Sequence, residues 1–356
     1  MKKITVCVLF GGISTEHEIS NISASSVLSN MDTDKYHVIP VGITKEGRWL
    51  RFDGPYEQIR DGSWEKQADL CTACILPDAG LSCLATFFPD GTVEKTPIDC
   101  VFPVLHGIGG EDGTVQGLCR LAGIPCVGSG VVSSALCMDK AFAKSVAAQA
   151  GLSQAKWLVL APTDGRNLQE RISAVEDRFD YPVFVKPANA GSSVGITKVH
   201  DRAELAEAIP AAMEVDEKIV VEEMISGQEV EVAVTGNNRP FASPVGEIAA
   251  EDGFYSYSGK YLDNTSGLFI PARLDEETAE NVRAEAVRAY KALGCRGFAR
   301  VDFFVTPENK VVFNEINTLP GFTPISMYPK LMKEYGMEYG ELVDHLISLA
   351  VDEDAE

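Results

Sequence analysis

Residues 294–317 read GCRGFARVDFFVTPENKVVFNEIN. Two β-rich runs, Gly297 to Val305 and Lys310 to Ile316, flank the turn sequence TPENK, which predicts an antiparallel hairpin. Side chains alternate between the two faces of a strand, so Glu315 and Asn317 are expected on one side with Phe313 or its continuation, and Ile316 on the other. In such a hairpin Asp302 lies near Glu315, and Arg300 shares the parity of Asp302. Two carboxylates and an amide oxygen crowded together repel unless a cation lies between them, and hard oxygen ligands suit Mg2+. By themselves Glu315 and Asn317 also fit an edge strand with a wet face. Asp302 and Arg300 favour a site for metal-bound phosphate with an anion beside it.

The chain has 356 residues, 45% hydrophobic and 23% charged, an ordinary soluble composition with room for two or three cored domains. Its 52 acidic residues outnumber 31 basic ones, for a net charge of -21. That balance argues against a nucleic-acid partner, which needs a basic patch, while leaving room for a local basic pocket. The nine cysteines are scattered, and Cys71 and Cys74 lack a second pair, so they read as reduced thiols of a cytoplasmic protein. The start MKKITVCVLFGG carries only a short apolar run and no small-residue cleavage pattern, which predicts a first buried strand. No run of about 18 apolar residues predicts a membrane span, and no membrane partner is expected.

Ile4 to Phe10 is a strand pattern ending in Gly11-Gly12. STEHEISNISASSVLSNM then reads as helix and YHVIPVGIT as strand, a βαβ opening. CVFPVLHG and IPCVGSG add two buried strands, so residues 1–128 are expected to form an open parallel sheet with ligand-binding loops at its carboxyl ends. Residues 129–227 alternate helix (SSALCMDKAFAKSVAAQAG), strand (YPVFVKPA), a Gly/Ser loop, helix (DRAELAEAIPAAM) and strand (KIVVEEMI), a compact α+β unit. Residues 228–356 hold the strand QEVEVAVTG, a polar stretch about 250–268, a helix from Glu276 to Leu293 and the hairpin.

In FVKPANAGSSVGITKV, Lys186 ends a strand and Gly191-Ser192-Ser193-Val194-Gly195 follows. Glycines admit an anion close to backbone N–H groups and serines add donors, so this is a candidate phosphate lid; a flexible hairpin tip is the plainer reading. It is not a P-loop, because no G-x-x-x-x-G-K-[ST] occurs. Lys140 in MDKAFAK fits a solvated helix position as well as a phosphate ligand. The strand ending at Glu222 suits an adenine edge, with Ile225 offering its backbone and Glu229 accepting ribose hydroxyls. His17-Glu18 starts like a zinc H-E-x-x-H, but position 21 is Asn, so His17 is read as structural or peripheral.

VLFGGISTEHEIS, LHGIGGEDGTVQG, MDKAFAK, FVKPANAGSSVGI, GKYLDNTS, ARVDFF and NEINTLPGFTPISMYPKL, in this order over nearly the whole chain, resemble the D-alanine:D-alanine ligases of the ATP-grasp superfamily. The resemblance implies an α/β, three-domain ATP-grasp fold. It would have an N-terminal, Rossmann-like parallel-sheet domain and two α+β subdomains enclosing ATP, with a mobile lid at about 250–268 that excludes water from a reactive acyl phosphate. It implies ATP-dependent joining of two D-alanines through a D-alanyl phosphate, for peptidoglycan synthesis, by a cytoplasmic homodimer. Chemistry of this type is mainly positioning and charge neutralisation.

By the same resemblance Lys140, Lys186 and Ser193 lie on the ATP phosphates, Glu222 and Ile225 at the adenine and Glu229 at the ribose. Asp302, Glu315 and Asn317 hold two Mg2+, with Mn2+ able to substitute. Arg300 and the backbone N–H of Gly321 form the oxyanion hole. Glu16 binds the first substrate's ammonium in a trio with Ser192 and Tyr261, His106 lies near its carboxylate, and Lys260 reaches phosphate and carboxylate. Ser326 and Met327 face the second substrate. The pair Lys260-Tyr261 and an apolar Met327, in place of the arginine common in resistance-type ligases, favour D-alanine as acceptor over D-serine or D-lactate, since an apolar wall suits a methyl group. Glu223-Met224 departs from the basic and aromatic residues usual there. A catalytically dead nucleotide-binding regulator is the alternative from another class, but no residue of the expected set is missing.

Overall fold

The computed structural model describes residues 2–191, 194–249 and 267–352. Ser192, Ser193, Lys260, Tyr261 and nearly all of the expected lid lie outside the described residues.

The first sheet is built from β1 (Ile4–Gly11), β2 (Tyr36–Ile43), β3 (Trp49–Arg51), β4 (Cys71–Ile75), β5 (Cys83–Phe87), β6 (Val93–Pro97) and β7 (Cys100–Leu105). They lie in the order β6-β5-β4-β3-β2-β1-β7. Val6 to Phe10 are fully buried because both faces of β1 are covered, as its unbroken apolar run requires. Val6, Val8 and Phe10 pack with Ala24, Val27 and Leu28 of the helix His17–Asn30. Cys7 and Leu9 meet Val115, Cys119 and Ala122 of the helix Thr114–Ala122. Gly11 closes the strand at φ +83°, where a Cβ would lie 2.3 Å from the Ile43 carbonyl oxygen. The expected parallel sheet is therefore a mixed one: β7, β1 and β2 form its parallel heart, and β3 to β6 extend it as an antiparallel meander. IPCVGSG contributes only a single bridge, Val101 to Cys126.

The second sheet, β8 (Trp157–Leu160), β9 (Val183–Pro187), β10 (Thr197–Val199) and β11 (Ile219–Glu223), is antiparallel in the order β10-β9-β11-β8. Val183, Val185, Ile219 and Val221 form a core with Ile172, Val175, Leu205 and Ile209 of the helices Leu168–Glu176 and Arg202–Val215. The other face rests Ala188 and Val220 on Ala141 of the helix Lys140–Gln149. The expected single helix over SSALCMDKAFAKSVAAQAG is two, Val131–Met138 and Lys140–Gln149. Asp139 breaks it: its backbone is extended, and its carboxylate accepts the N–H groups of Ala141 and Phe142 at 3.0 and 3.1 Å as an N-cap.

The third sheet holds β12 (Gln228–Thr235), β13 (Phe241–Ala242), β14 (Gly246–Ala249), β15 (Gly267–Phe269), β16 (Phe298–Val305) and β17 (Val311–Asn317), in the order β15-β14-β12-β16-β17 with β13 beside β12. One face buries Val230, Val232, Val301 and Phe303 against Val282, Ala286 and Tyr290 of the helix Glu276–Ala292. The C-terminal helices Met327–Tyr335 and Tyr339–Val351 place Leu331, Leu342 and Leu346 in one core with Val6, Phe10 and Phe102 of the first sheet, so the chain's end locks the first and third sheets together.

The expected hairpin is β16–β17, with Asp302 opposite Glu315 and Arg300 opposite Asn317. The register then shifts so that Phe303 faces Phe313, which makes Asn314 the extra residue of a β-bulge. Phe313 accordingly packs in the core on Phe303, ring centroids 5.9 Å apart, and does not share the face of Glu315 as strict alternation predicted. Ile316 is in the same core as Phe313. No helix among the described residues is long and apolar enough to cross a membrane.

Candidate active site

The three sheets enclose a cleft of about 1210 Å3, its open mouth included. On its wall are Glu16 and His106 from the first sheet's loops and Lys140 and Gly191 from the second unit. Arg300, Glu315, Asn317, Gly321, Ser326 and Met327 come from the third.

Glu16 stands at the start of the helix His17–Asn30 and is buried. A Cβ placed on Gly191 would lie 3.0 Å from its Oε2, and one on Gly107 3.3 Å, so Gly191 of the second unit stands directly against this carboxylate. His106 directly follows β7, with Nδ1 3.1 Å from the Leu319 carbonyl oxygen, an acceptor that places the ring proton on Nδ1. Its Nε2 is 3.4 Å from the Ser23 hydroxyl, which in turn accepts the Phe322 N–H at 3.3 Å. Two residues of the first unit thus pin both ends of the Leu319–Phe322 turn that carries Gly321. Burial lowers the His106 imidazole pKa, partly opposed by Glu16. His17 lies outside this set: its Nδ1 is 2.7 Å from the Gly12 oxygen and its Nε2 3.1 Å from Glu65.

Arg300 donates from Nε and Nη2 to the two carboxylate oxygens of Asp302 at 2.8 and 2.7 Å, and its Nε is 3.0 Å from Glu231. Burial alone would lower the guanidinium pKa, but Asp302 and Glu231 raise it well above the ordinary value. The Asn317 amide donates to Asp302 at 3.1 Å. Lys140 donates to the Ala190 carbonyl at 2.6 Å and is 3.9 Å from Glu315. Lys186 is 3.0 Å from Glu222. Burial pushes Glu222 up, but the ammonium groups of Lys144 and Lys186 outweigh it and hold the carboxyl at about 2. Ile225 lies beyond the end of β11 and Glu229 near the start of β12, paired with Phe304 and Ile248; neither is on the cleft wall.

Ser326 caps the turn before the helix Met327–Tyr335, accepting the Thr323 N–H at 3.0 Å. Met327 is buried, and a Cβ on Gly246 would meet its sulfur at 2.9 Å.

Three residues escaped the sequence reading. Glu231 follows Glu229 by two on β12 and so shares its face, a signal present in QEVEVAVTG. Lys144 closes the quoted MDKAFAK. Glu111, in LHGIGGEDG, accepts the Gly107 N–H at 2.8 Å, while desolvation and the Glu16 charge push it up to about 8.

The donors on the β16–β17 face suit a divalent cation: two carboxylates and an amide whose nitrogen is the atom bonded to Asp302, which leaves its oxygen available. With Lys140 on one side and Arg300 on the other, the cleft can hold a polyphosphate beside an anionic reactant.

A family model described as D-ala D-ala ligase N-terminus matches residues 5–129, and one described as D-ala D-ala ligase C-terminus matches residues 146–348. The chain is 52% identical to the D-alanine–D-alanine ligase of Caldicellulosiruptor bescii over 99% of this chain and 96% of that protein. It is 51% identical to the D-alanine–D-alanine ligase of Acetivibrio thermocellus, over 98% and 96%. Among solved structures, the VanG D-Ala:D-Ser ligase from Enterococcus faecalis superposes with a TM-score of 0.90 at 42% identity, covering 98% of this chain and 100% of that one. The D-alanine-D-alanine ligase from Coxiella burnetii gives 0.86 at 36%, covering 99% and 95%.

Proposed function

Since the chain belongs to the D-alanine–D-alanine ligase family, with an ATP-grasp fold, we propose that the cleft between its three sheets is where it joins two D-alanine molecules. The protein is an ATP-dependent ligase that makes D-alanyl-D-alanine for peptidoglycan synthesis. A carboxylate oxygen of the first D-alanine attacks the γ-phosphorus, the bond to the bridging oxygen breaks, and ADP leaves. The neutral amine of the second D-alanine then attacks the carbonyl carbon of the D-alanyl phosphate. Phosphate departs with the oxygen that came from the carboxylate, and the amine loses a proton.

The observation that carries the site is convergence: Glu16, Lys140 and Arg300, from three separate units, line one cleft. Glu16 is assigned to the first ammonium and His106 to the neighbourhood of its carboxylate. Lys140 and Lys186 bind phosphate, Glu222 and Ile225 the adenine, and Glu229 the ribose. Asp302, Glu315 and Asn317 would hold two divalent cations, Mg2+ or Mn2+. Bound there, such cations would spread the phosphate charge. Arg300 and the Gly321 N–H steady the oxygen that gains charge as the amine attacks, and the pinned Leu319–Phe322 turn supports that aim. Ser326 and Met327 face the acceptor. Ser192, Ser193, Lys260 and Tyr261 keep their roles on the resemblance, as does a homodimer; the cytoplasmic location rests on the scattered cysteines together with the resemblance, and the divisions 1–128, 129–227 and 228–356 on the strand and helix pattern of the sequence.

The test is ADP release with Mg-ATP and D-alanine, L-alanine, D-alanine plus D-serine, or D-alanine plus D-lactate, with products identified by mass. Release with D-alanine alone, giving its dipeptide, is expected. Release confined to a mixture overturns the acceptor, and silence throughout overturns the enzyme.

A further inference from the structure

Glu222 takes two lysines at once. Its Oε1 lies 3.2 Å from the Lys144 ammonium and its Oε2 3.0 Å from that of Lys186. The side chains of Lys144 and Glu222 are 2% and 4% exposed, against 13% for Lys186. Buried charges persist only when paired. One carboxylate between two ammonium groups leaves an excess positive charge, which Glu315 and Glu229 answer only as more distant charges.

The two lysines are placed differently. Lys186 on β9 faces Val220, and Glu222 on β11 faces Phe184, so Lys186 and Glu222 are diagonal neighbours on one face of the sheet. Lys144 follows Lys140 by one helical turn and points the same way. Lys140 reaches the cleft wall at Ala190, whereas Lys144 ends between helix and sheet, where Ala141, Ala188 and Val220 pack. Lys144 is too deeply enclosed to serve as a phosphate ligand, yet it is the nearer-buried partner of Glu222.

We propose that Lys144 is the resident counter-ion of Glu222, a positioning residue that lets Lys186 leave Glu222 for the phosphates of a nucleotide while Glu222 stays ionised and aimed at the base. The inference rests on the nucleotide roles given above to Lys186 and Glu222. Without Lys144, moving Lys186 onto phosphate strands a buried carboxylate, so Lys186 stays where it is and ATP binds weakly.

The experiment measures Mg-ATP affinity by equilibrium dialysis on the full chain for Lys144→Met, Glu222→Gln, the double variant and Lys186→Met, with melting temperature and the KM for D-alanine alongside. Lys144→Met is expected to weaken ATP binding about tenfold or more, the scale of a stranded buried charge, and to leave the KM for D-alanine within about twofold. The double variant has no carboxylate to neutralise, so it matches Glu222→Gln alone. A folded Lys144→Met with unchanged ATP affinity overturns the proposal. So does a double variant that binds ATP clearly more weakly than Glu222→Gln, a comparison that decides the matter even if Lys144→Met does not fold. Unchanged affinity in Lys186→Met would sink the nucleotide reading itself, whatever Lys144 does.

Discussion

Asp302 and Glu315 stand directly opposite each other across the β16–β17 hairpin, and the bulge at Asn314 is what lets Glu315 share a face with Asp302 while Phe313, two residues earlier, is in the core. Like charges so placed are held by Arg300 on one side and Lys140 on the other. The arrangement makes Glu315 a test of the metal assignment.

Glu315→Gln is expected to lower kcat by about a hundredfold, the scale of losing one preorganised electrostatic group, and to raise the Mg2+ concentration needed for half-maximal rate. Its side chain is 33% exposed, so the melting temperature should hold. Initial rates across a Mg2+ series check this; an unchanged Mg2+ requirement contradicts the role.

Arg300 is fixed by a two-pronged bond to Asp302 and by Glu231. Arg300→Lys loses the planar fork and should cost about a hundredfold in kcat/KM. Arg300→Ala also leaves two buried carboxylates facing each other and should cost about 3–5 kcal/mol of stability. Steady-state rates and urea titration separate the two losses.

Glu111 ionises at about 8 in the fold, against an ordinary value of 4.5. Between those values the folded state binds more protons than the unfolded one, so this group's contribution to stability falls as pH rises from 4.5 to 8 and is flat above. Glu111→Gln removes that dependence and keeps an acceptor for Gly107. The variant should therefore gain more in melting temperature over the parent at pH 8 than at pH 5.

Gly246 lies against Met327 and Leu331, and a Cβ there would meet the Met327 sulfur and Leu331 Cδ2, each at 2.9 Å. Gly246→Ala should push Met327 into the acceptor space and raise the KM of the second D-alanine about tenfold while leaving ATP affinity unchanged. Met327→Ala opens the same wall and should raise the D-serine to D-alanine ratio about tenfold, the usual worth of a small change in an apolar pocket. Competition assays with both acceptors read the ratio.

Much of this site is written locally. The β16–β17 pairing follows from two β-rich runs around TPENK, and the opposition of Asp302 and Glu315 follows from the hairpin. The face of Phe313 was not legible, because one inserted residue reverses parity and nothing in VVFNEIN marks which residue is extra. The break at Asp139 sits in a run of helix-forming neighbours where the Asp, an N-cap residue type, was the one sign of it, and the N–H groups it accepts make it plain. The hairpin of β5 and β6 carried its signal openly in the Asp90-Gly91 turn, and it stands at the edge of the first sheet away from β1 and β7. Glu231 had a signal in its two-residue spacing from Glu229, but its partner Arg300 is distant in sequence, and Lys144 acts through the equally distant Glu222, so the folded packing is what gives both their partners.

The most direct measurement of the central claim uses D-alanine labelled with 18O in its carboxylate, turned over with Mg-ATP, and follows the label by mass. Attack of that carboxylate on the γ-phosphate predicts one 18O in each phosphate released and the other kept in the dipeptide's new amide. Unlabelled phosphate, with ATP consumed, would mean that water and not D-alanine attacks in this cleft, and would contradict the account.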